Sequence, residues 1–224
     1  MPRDVMEREL QRLQDELLIL GSMAAKAVKD SVEALHRRDL AAARQLIAGD
    51  RAINEKRFAL EADCLAAIAT QQPMAGDLRI LAAILEIATE LERIADYGKG
   101  ISRINLMMGN QPPLKPLVDI PRMADRATDM LQRALQAFIE RDVAAARAIP
   151  AEDDAVDALY DRVYRDLLVH IVADPLTTDR ATHLLWVAHN LERAADRVTN
   201  ICERTIFTVT GEMNEMDADD SFAV

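Results

Sequence analysis

From Leu10 the small and apolar positions advance by threes and fours. Leu10, Leu13, Leu17, Leu20, Ala24, Ala27, Ser31 and Leu35 fall on one stripe. That period predicts an amphipathic helix of about 30 residues, or about 45 Å at 1.5 Å per residue, a length typical of bundles. Asp39 is placed to cap a short Ala-rich segment, LAAARQLI, which is expected to end near Gly49. A second helix is predicted from about Asp50 to Gln71, stopped by Pro73. A third runs from near Asp77, an acceptable cap, to about Met108.

The stretch GNQPPLKPLVDIP, Gly109 to Pro121, places four prolines in ten residues and cannot continue a helix. Beyond it the pattern begins again. Pro121 to Glu140 predicts another amphipathic helix, and RDVAAAR (Arg141–Arg147) copies RDLAAAR (Arg38–Arg44) at an offset of 141 − 38 = 103. Pro150 closes that segment, and a helix follows from about Ala151 to Ala173. Pro175 matches Pro73 in the turn, and Asp179 to about Thr210 makes the last helix. NLERAAD repeats ELERIAD at an offset of 190 − 90 = 100, the slip being absorbed in the turns. The pattern predicts an all-α fold of two tandem three-helix bundles, six long helices made by internal duplication, with the halves packed along their lengths. The expected units are residues 1–108, a Pro-rich linker at 109–120, residues 121–211 and an acidic C-terminal tail at 212–224.

Composition agrees with this and narrows the function. Half of the 224 residues are hydrophobic but only 4% are aromatic, and Gly (7) and Pro (8) are scarce, as long helices require and β-sandwiches do not allow. The net charge of −11 comes with no basic stripe, which excludes nucleic acid as a partner. No run of eighteen apolar residues occurs and the N-terminus lacks a signal-peptide core, so a cytoplasmic protein without membrane insertion is expected. Cys64 and Cys202 lack CxxC spacing and sit in helical apolar patterns, as buried thiols do. The end of the chain, GEMNEMDADDSFAV, is read as a solvated tail.

The candidate chemistry lies in carboxylates that the duplication writes twice. Glu92 and Asp96 in ELERIADYGKGISR, and Glu192 and Asp196 in HNLERAADRVTNICER, are four residues apart on one helix face. Like charges at that spacing repel by roughly 0.2–0.5 kcal/mol. The second helix of each half supplies Asp50 and Asn54, matched by Asp153 and Asp157. In an antiparallel hairpin the start of helix two lies beside the later part of helix three. Each bundle is therefore expected to gather Asp50, Asn54, Glu92 and Asp96, or Asp153, Asp157, Glu192 and Asp196.

Such clusters cannot stay fully ionised without cations, and hard oxygen donors suit Mg²⁺, Mn²⁺, Ca²⁺ or iron. Two readings of the same residues stay open. The carboxylates are ordinary solvent-facing charges, or Arg93, Arg193 and Arg197 neutralise them. With four carboxylates against three and an amide, the second half is expected to bind divalent metal more tightly.

His189 precedes Glu192 by three residues, the reverse of the Glu-x-x-His order of di-iron bundles. Its counterpart is Thr89, so an oxidase site is disfavoured and a hydrogen-bonding role expected. His36, His170 and His183 show no metal spacing, and Trp186 is expected in the core. No catalytic triad, P-loop or dinucleotide fingerprint is present.

These motifs resemble the PhoU family. ELERIAD and NLERAADRVTNICE are similar to its paired E(D)xxxD signatures, QQPMAGDLR (Gln71–Arg79) to its turn between the second and third helices, and GDRAIN and EDDAVD to its helix-two openings. The family often has Gly before the motif Asp, where this chain has Ala95 and Ala195, both small. The resemblance runs from about residue 7 to 211.

It implies a cytoplasmic, homodimeric, non-enzymatic regulator, peripheral to the inner membrane through protein partners. Such a protein couples the phosphate ABC transporter ATPase to the phosphate sensor histidine kinase. It is a negative regulator of the phosphate-starvation response and of uptake. The resemblance also implies multinuclear metal sites (iron, Mn, Mg or Zn) at Glu92, Asp96, Glu192 and Asp196, with Asp50, Asn54, Asp153 and Asp157 facing them. The competing classes are a carboxylate-bridged metal-binding helical-bundle enzyme and a purely structural helical scaffold.

Overall fold

The computed structural model describes residues 2–213, and the expectation for the acidic tail lies almost wholly outside them. Helices α1 (Pro2–Arg37), α2 (Leu40–Gln71) and α3 (Ala75–Met108) form the first unit. Helices α4 (Asp119–Glu140), α5 (Val143–Ala148), α6 (Asp153–Ala173) and α7 (Thr178–Thr210) form the second. Six of these are long and α5 is a single short segment, so the architecture is the duplicated all-α one that the repeat pattern predicts. The predicted stripe of α1 is buried: Leu13, Leu17, Leu20 and Ala24 are shielded by Leu81, Ile84, Ile87 and Leu91 of α3 within one continuous core.

The two copies of the RD-x-AAAR motif build the same turn. Arg38 and Arg141 both take the left-handed conformation, with φ of 57° and 56°. Asp39 then caps α2, accepting from Ala41 N and Ala42 N at 3.0 and 2.9 Å, and Asp142 caps α5, accepting from Ala145 N at 3.0 Å. An N-cap of this kind is worth about 1 kcal/mol, and here it sets the direction in which each chain turns back.

The copies then diverge. Gly49 does not end the Ala-rich segment, and α2 continues through it as one helix of 32 residues. Interior glycine costs only about 0.5–1 kcal/mol and removes no hydrogen bond. In the second unit Pro150 stands where the first has Ile47. Proline removes a helical N–H and clashes with the preceding turn, at about 3 kcal/mol. The helix breaks into α5, a 3-10 turn at Pro150–Glu152, and α6. Two smaller expectations also change. Met74 rather than Asp77 occupies the cap position of α3. Trp186 is 47% exposed and meets His183 edge-on at 5.7 Å, because Leu184, Val187, Ala188 and Leu191 already define the buried face of α7.

The units join along α3 and α7, with α1 against α4. The seam is antiparallel. Arg79 near the start of α3 donates to Thr208 O near the end of α7 at 3.4 Å, and Glu86 pairs with Arg204 at 2.9 Å. Glu90 accepts from Asn200 and Arg197 at 3.2 and 3.4 Å. Asn190, the counterpart of Glu90, lies against Gly100, the counterpart of Asn200. Each repeat thus offers the same surface to the other, as in a two-fold interface. Within the first unit α1 and α3 approach so closely at Gly98 that a Cβ there would stand 2.9 Å from the backbone of Ala27.

Candidate functional site

Helix α2 carries Asp50 past the later part of α3, and the fold brings Asp50 and Asp96 together on one lysine. Asp50 is only 7% exposed. Lys99 Nζ donates to Asp50 Oδ2 at 2.5 Å and to Asp96 Oδ1 at 3.1 Å, tying α2 to α3. Asn54 uses its amide on the same Asp50 oxygen at 3.1 Å, one turn along α2. The hydrogen bond to Asp50, reinforced by Asp96, raises the Lys99 pKa and keeps the ammonium charged. Burial pushes the Glu92 carboxyl above its usual range, the Asp96 charge adds to the shift, and Arg57 opposes it. Arg57 itself pairs with Glu61 at 2.8 Å. Asp50 and Lys99 line a cleft of about 470 Å³ between α1, α2 and α3.

The second set is arranged differently. Asp153 and Asp157 at the start of α6 and Asp196 of α7 line one open cleft of about 870 Å³, together with Arg147, Arg193, Arg197 and Asn200. Arg193 donates to Asp196 Oδ2 at 2.7 Å. Glu192 has a raised pKa, from burial first, then from Asp196 with a further contribution from Asp157, while His189 and Arg193 oppose the shift. His189 Nδ1 is 3.1 Å from Glu192 Oε2 but makes no hydrogen bond to it. Tyr160 flanks His189, with ring centroids 6.3 Å apart.

Lys99 joins Asp50 of α2 to Asp96 of α3, and Asp153, Asp157 and Asp196 line one cleft between α6 and α7. In the first repeat a cation already stands between Asp50 and Asp96, the Lys99 ammonium, which the carboxylate pattern alone did not reveal. Its signal was in the sequence, a lysine three residues after Asp96 on the same face. In the second repeat position 199 is Thr199, whose buried Oγ1 has no hydrogen-bond partner, and Arg193 pairs with Asp196 at 2.7 Å.

Among the described residues no three acidic, histidine or cysteine side chains stand in a ligating arrangement. The carboxylate oxygens of Asp153, Asp157, Glu192 and Asp196 are hard donors of the kind that a hard cation takes. The two cysteines are free and buried, with burial pushing both thiols up to about 12.

The PhoU domain pattern matches residues 17–104 and again residues 120–205. The chain belongs to the PhoU family. A phosphate-specific transport system accessory protein PhoU homolog of Clostridium acetobutylicum is 34% identical over 218 residues, covering 97% of this chain and all of the relative. One from Caulobacter vibrioides is 37% identical over 205 residues, covering 91% and 89%. The crystal structure of the phosphate transport system regulatory protein PhoU from Streptococcus pneumoniae superposes with a TM-score of 0.86 at 27% identity, over 94% of this chain and all of that one. PhoU from Pseudomonas aeruginosa gives 0.85 at 29% identity, over 92% and 99%. Each PhoU match spans one complete acidic set, Asp50 to Asp96 in the first and Asp153 to Asp196 in the second.

Proposed function

We propose that this chain is an accessory protein of phosphate transport that acts as a regulator. It couples the phosphate ABC transporter ATPase to a phosphate sensor histidine kinase and restrains both uptake and the starvation response. The observation that supports this reading is the match of both repeats, over nearly the full chain, to proteins named phosphate-specific transport system accessory proteins. The physics is compatible with such work. Long rigid helices present extended faces, and a strongly acidic surface pairs with basic partner surfaces. Among the described residues no helix is long and apolar enough to cross a membrane, so contact with a transporter runs through protein surfaces. In this reading the protein works as a cytoplasmic homodimer and not as an enzyme.

Metal ions belong to the same proposal. Asp153, Asp157, Glu192 and Asp196 would hold a divalent or trivalent cation, iron, Mn, Mg or Zn. When bound it would supply the positive charge that Lys99 supplies in the first repeat. The chain's own contribution is to hold α6 against α7 and to keep Glu192 largely out of water, where charge compensation counts most.

Recovery of partners from membranes of cells grown in phosphate-rich and phosphate-poor media tests the reading. The transporter ATPase or the kinase should co-purify. Deleting the gene should leave starvation genes expressed in rich medium. Normal repression together with recovery of neither partner would reject the reading.

A further inference from the structure

We infer that the outer face of α6, with the turn beyond it, is where a second copy of this chain docks. Tyr164, Leu168 and Val172 form one ridge, each four residues from the next, with Val169 beside it and Leu176 in the turn that follows. Their exposure runs from 40% at Leu168 to 92% at Leu176. The buried stripe of α6, Val156, Leu159, Val163 and Leu167, lies on another side of the helix. A helix that only closed a bundle would need one apolar side, and α6 has two.

The first repeat shows that the fold does not require the second side. At the offset of 103 the counterparts of Tyr164, Leu168, Val169 and Val172 are Glu61, Leu65, Ala66 and Ala69, and Glu61 pairs with Arg57 at 2.8 Å. The larger apolar residues of α6 are therefore not what holds a unit together.

Area and charge favour a second copy as the occupant. At about 150–200 Å² for a whole residue of this size, the five exposures amount to roughly 500 Å² of mostly apolar surface. The largest patch on an ordinary monomer is about 300–600 Å². Two such faces supply roughly 1,000 Å² and, with the polar residues at the rim, reach the roughly 1,200–2,000 Å² that stable interfaces bury. Charge at the rim is largely balanced within one protomer, since Arg165 donates to Asp161 at 3.3 Å and Lys115 to Asp166 at 2.5 Å. Identical faces then meet with little of the repulsion that a net charge of −11 would otherwise impose. An antiparallel two-fold pairing about residue 170 sets Leu168 opposite Val172 and Tyr164 opposite Leu176. The same register brings Arg165 to within one position of Asp174, so the two faces are complementary in shape and in charge. This inference rests on the homodimeric reading and names its surface.

Sedimentation equilibrium of the full chain between about 1 and 200 μM is the test. A monomer–dimer equilibrium is expected. V172D sets a charge against Leu168 of the other copy and should raise the dimer Kd about thirtyfold or more. Val172 is 83% exposed, so the variant keeps its fold. L65D, at the place in the first repeat that matches Leu168, should change the Kd less than about twofold. A monomer at every concentration would overturn the inference together with the homodimeric reading, and would leave the face to a different protein. A dimer that V172D leaves intact, or that L65D weakens equally, would overturn this surface alone.

Discussion

Lys99 and Thr199 hold the same position in the two repeats, and only Lys99 carries a charge. Lys99 spans α2 and α3 by reaching Asp50 at 2.5 Å and Asp96 at 3.1 Å, while the Thr199 hydroxyl is buried without a partner. Removing the ammonium leaves a nearly buried carboxylate uncompensated. Lys99→Gln should therefore destabilise the protein by about 1–3 kcal/mol, less than the roughly 3–5 kcal/mol of a fully buried broken pair because Lys99 keeps some solvent contact. Urea unfolding measures this, and an unchanged midpoint would show that the pair contributes nothing.

The same asymmetry bears on metal. At limiting Mn²⁺, anomalous scattering should locate the ion beside Asp153, Asp157, Glu192 and Asp196 before any ion appears beside Asp50 and Asp96. The paired change Glu192→Gln/Asp196→Asn should abolish that first site. Preferential filling of the first repeat would contradict the assignment of Lys99 as its resident cation.

Glu192 gives a pH test whose sign is set by its raised pKa. Between the ordinary carboxylate value and the raised folded value, the folded state binds more protons than the unfolded one, so stability falls as pH rises. Glu192→Gln removes that slope. Without metal the variant should be more stable than the parent at pH 7 by roughly 0.5 kcal/mol, the size of a like-charge helix pair. The advantage should disappear below the ordinary carboxylate pKa, and added Mn²⁺ should favour the parent.

Glu152 runs the other way. Arg133 grips it through two hydrogen bonds of 2.7 and 2.6 Å and holds its pKa below the usual range. This contribution is present above the ordinary carboxylate pKa and is lost as pH falls through the depressed folded value. Because both groups are substantially solvated, Arg133→Gln should cost only about 0.2–1 kcal/mol at pH 7 and less in acid. A loss that does not shrink on acidification would point to packing instead.

Two glycine substitutions should have opposite signs. Gly49→Ala adds a methyl where nothing lies within 4 Å, in the middle of α2, and should stabilise by about 0.5–1 kcal/mol. Gly98→Ala drives a methyl into the Ala27 backbone and should cost about 1–3 kcal/mol. Thermal melts of the two proteins decide both.

Much of this architecture was legible in one sequence because helical periodicity and a duplicated motif are local signals. The stripe from Leu10 to Leu35, the Asp39 cap and the Pro73 stop can each be read from neighbours along the chain. What escaped depended on competition or on partners distant in sequence. Gly49 looks like a terminator until its small cost is weighed against the unbroken hydrogen bonds of α2. Trp186 looks like core until the other residues of α7 have claimed the buried face. The carboxylates were visible, but Lys99 as their counter-charge, and Glu90 as the anchor for Arg197 and Asn200 across the seam, depend on how the helices are rotated about their own axes. Residue spacing leaves that angle open.

The break at Pro150 gives the two halves different mechanics. Asp50 rides within an uninterrupted rod, so a push at one end of α2 is felt along its whole length. Asp153 stands at the first residue after the 3-10 turn, where the run of α-helical hydrogen bonds between α5 and α6 is interrupted. Of two limbs grown from one ancestral pattern, one is a strut and the other has an elbow.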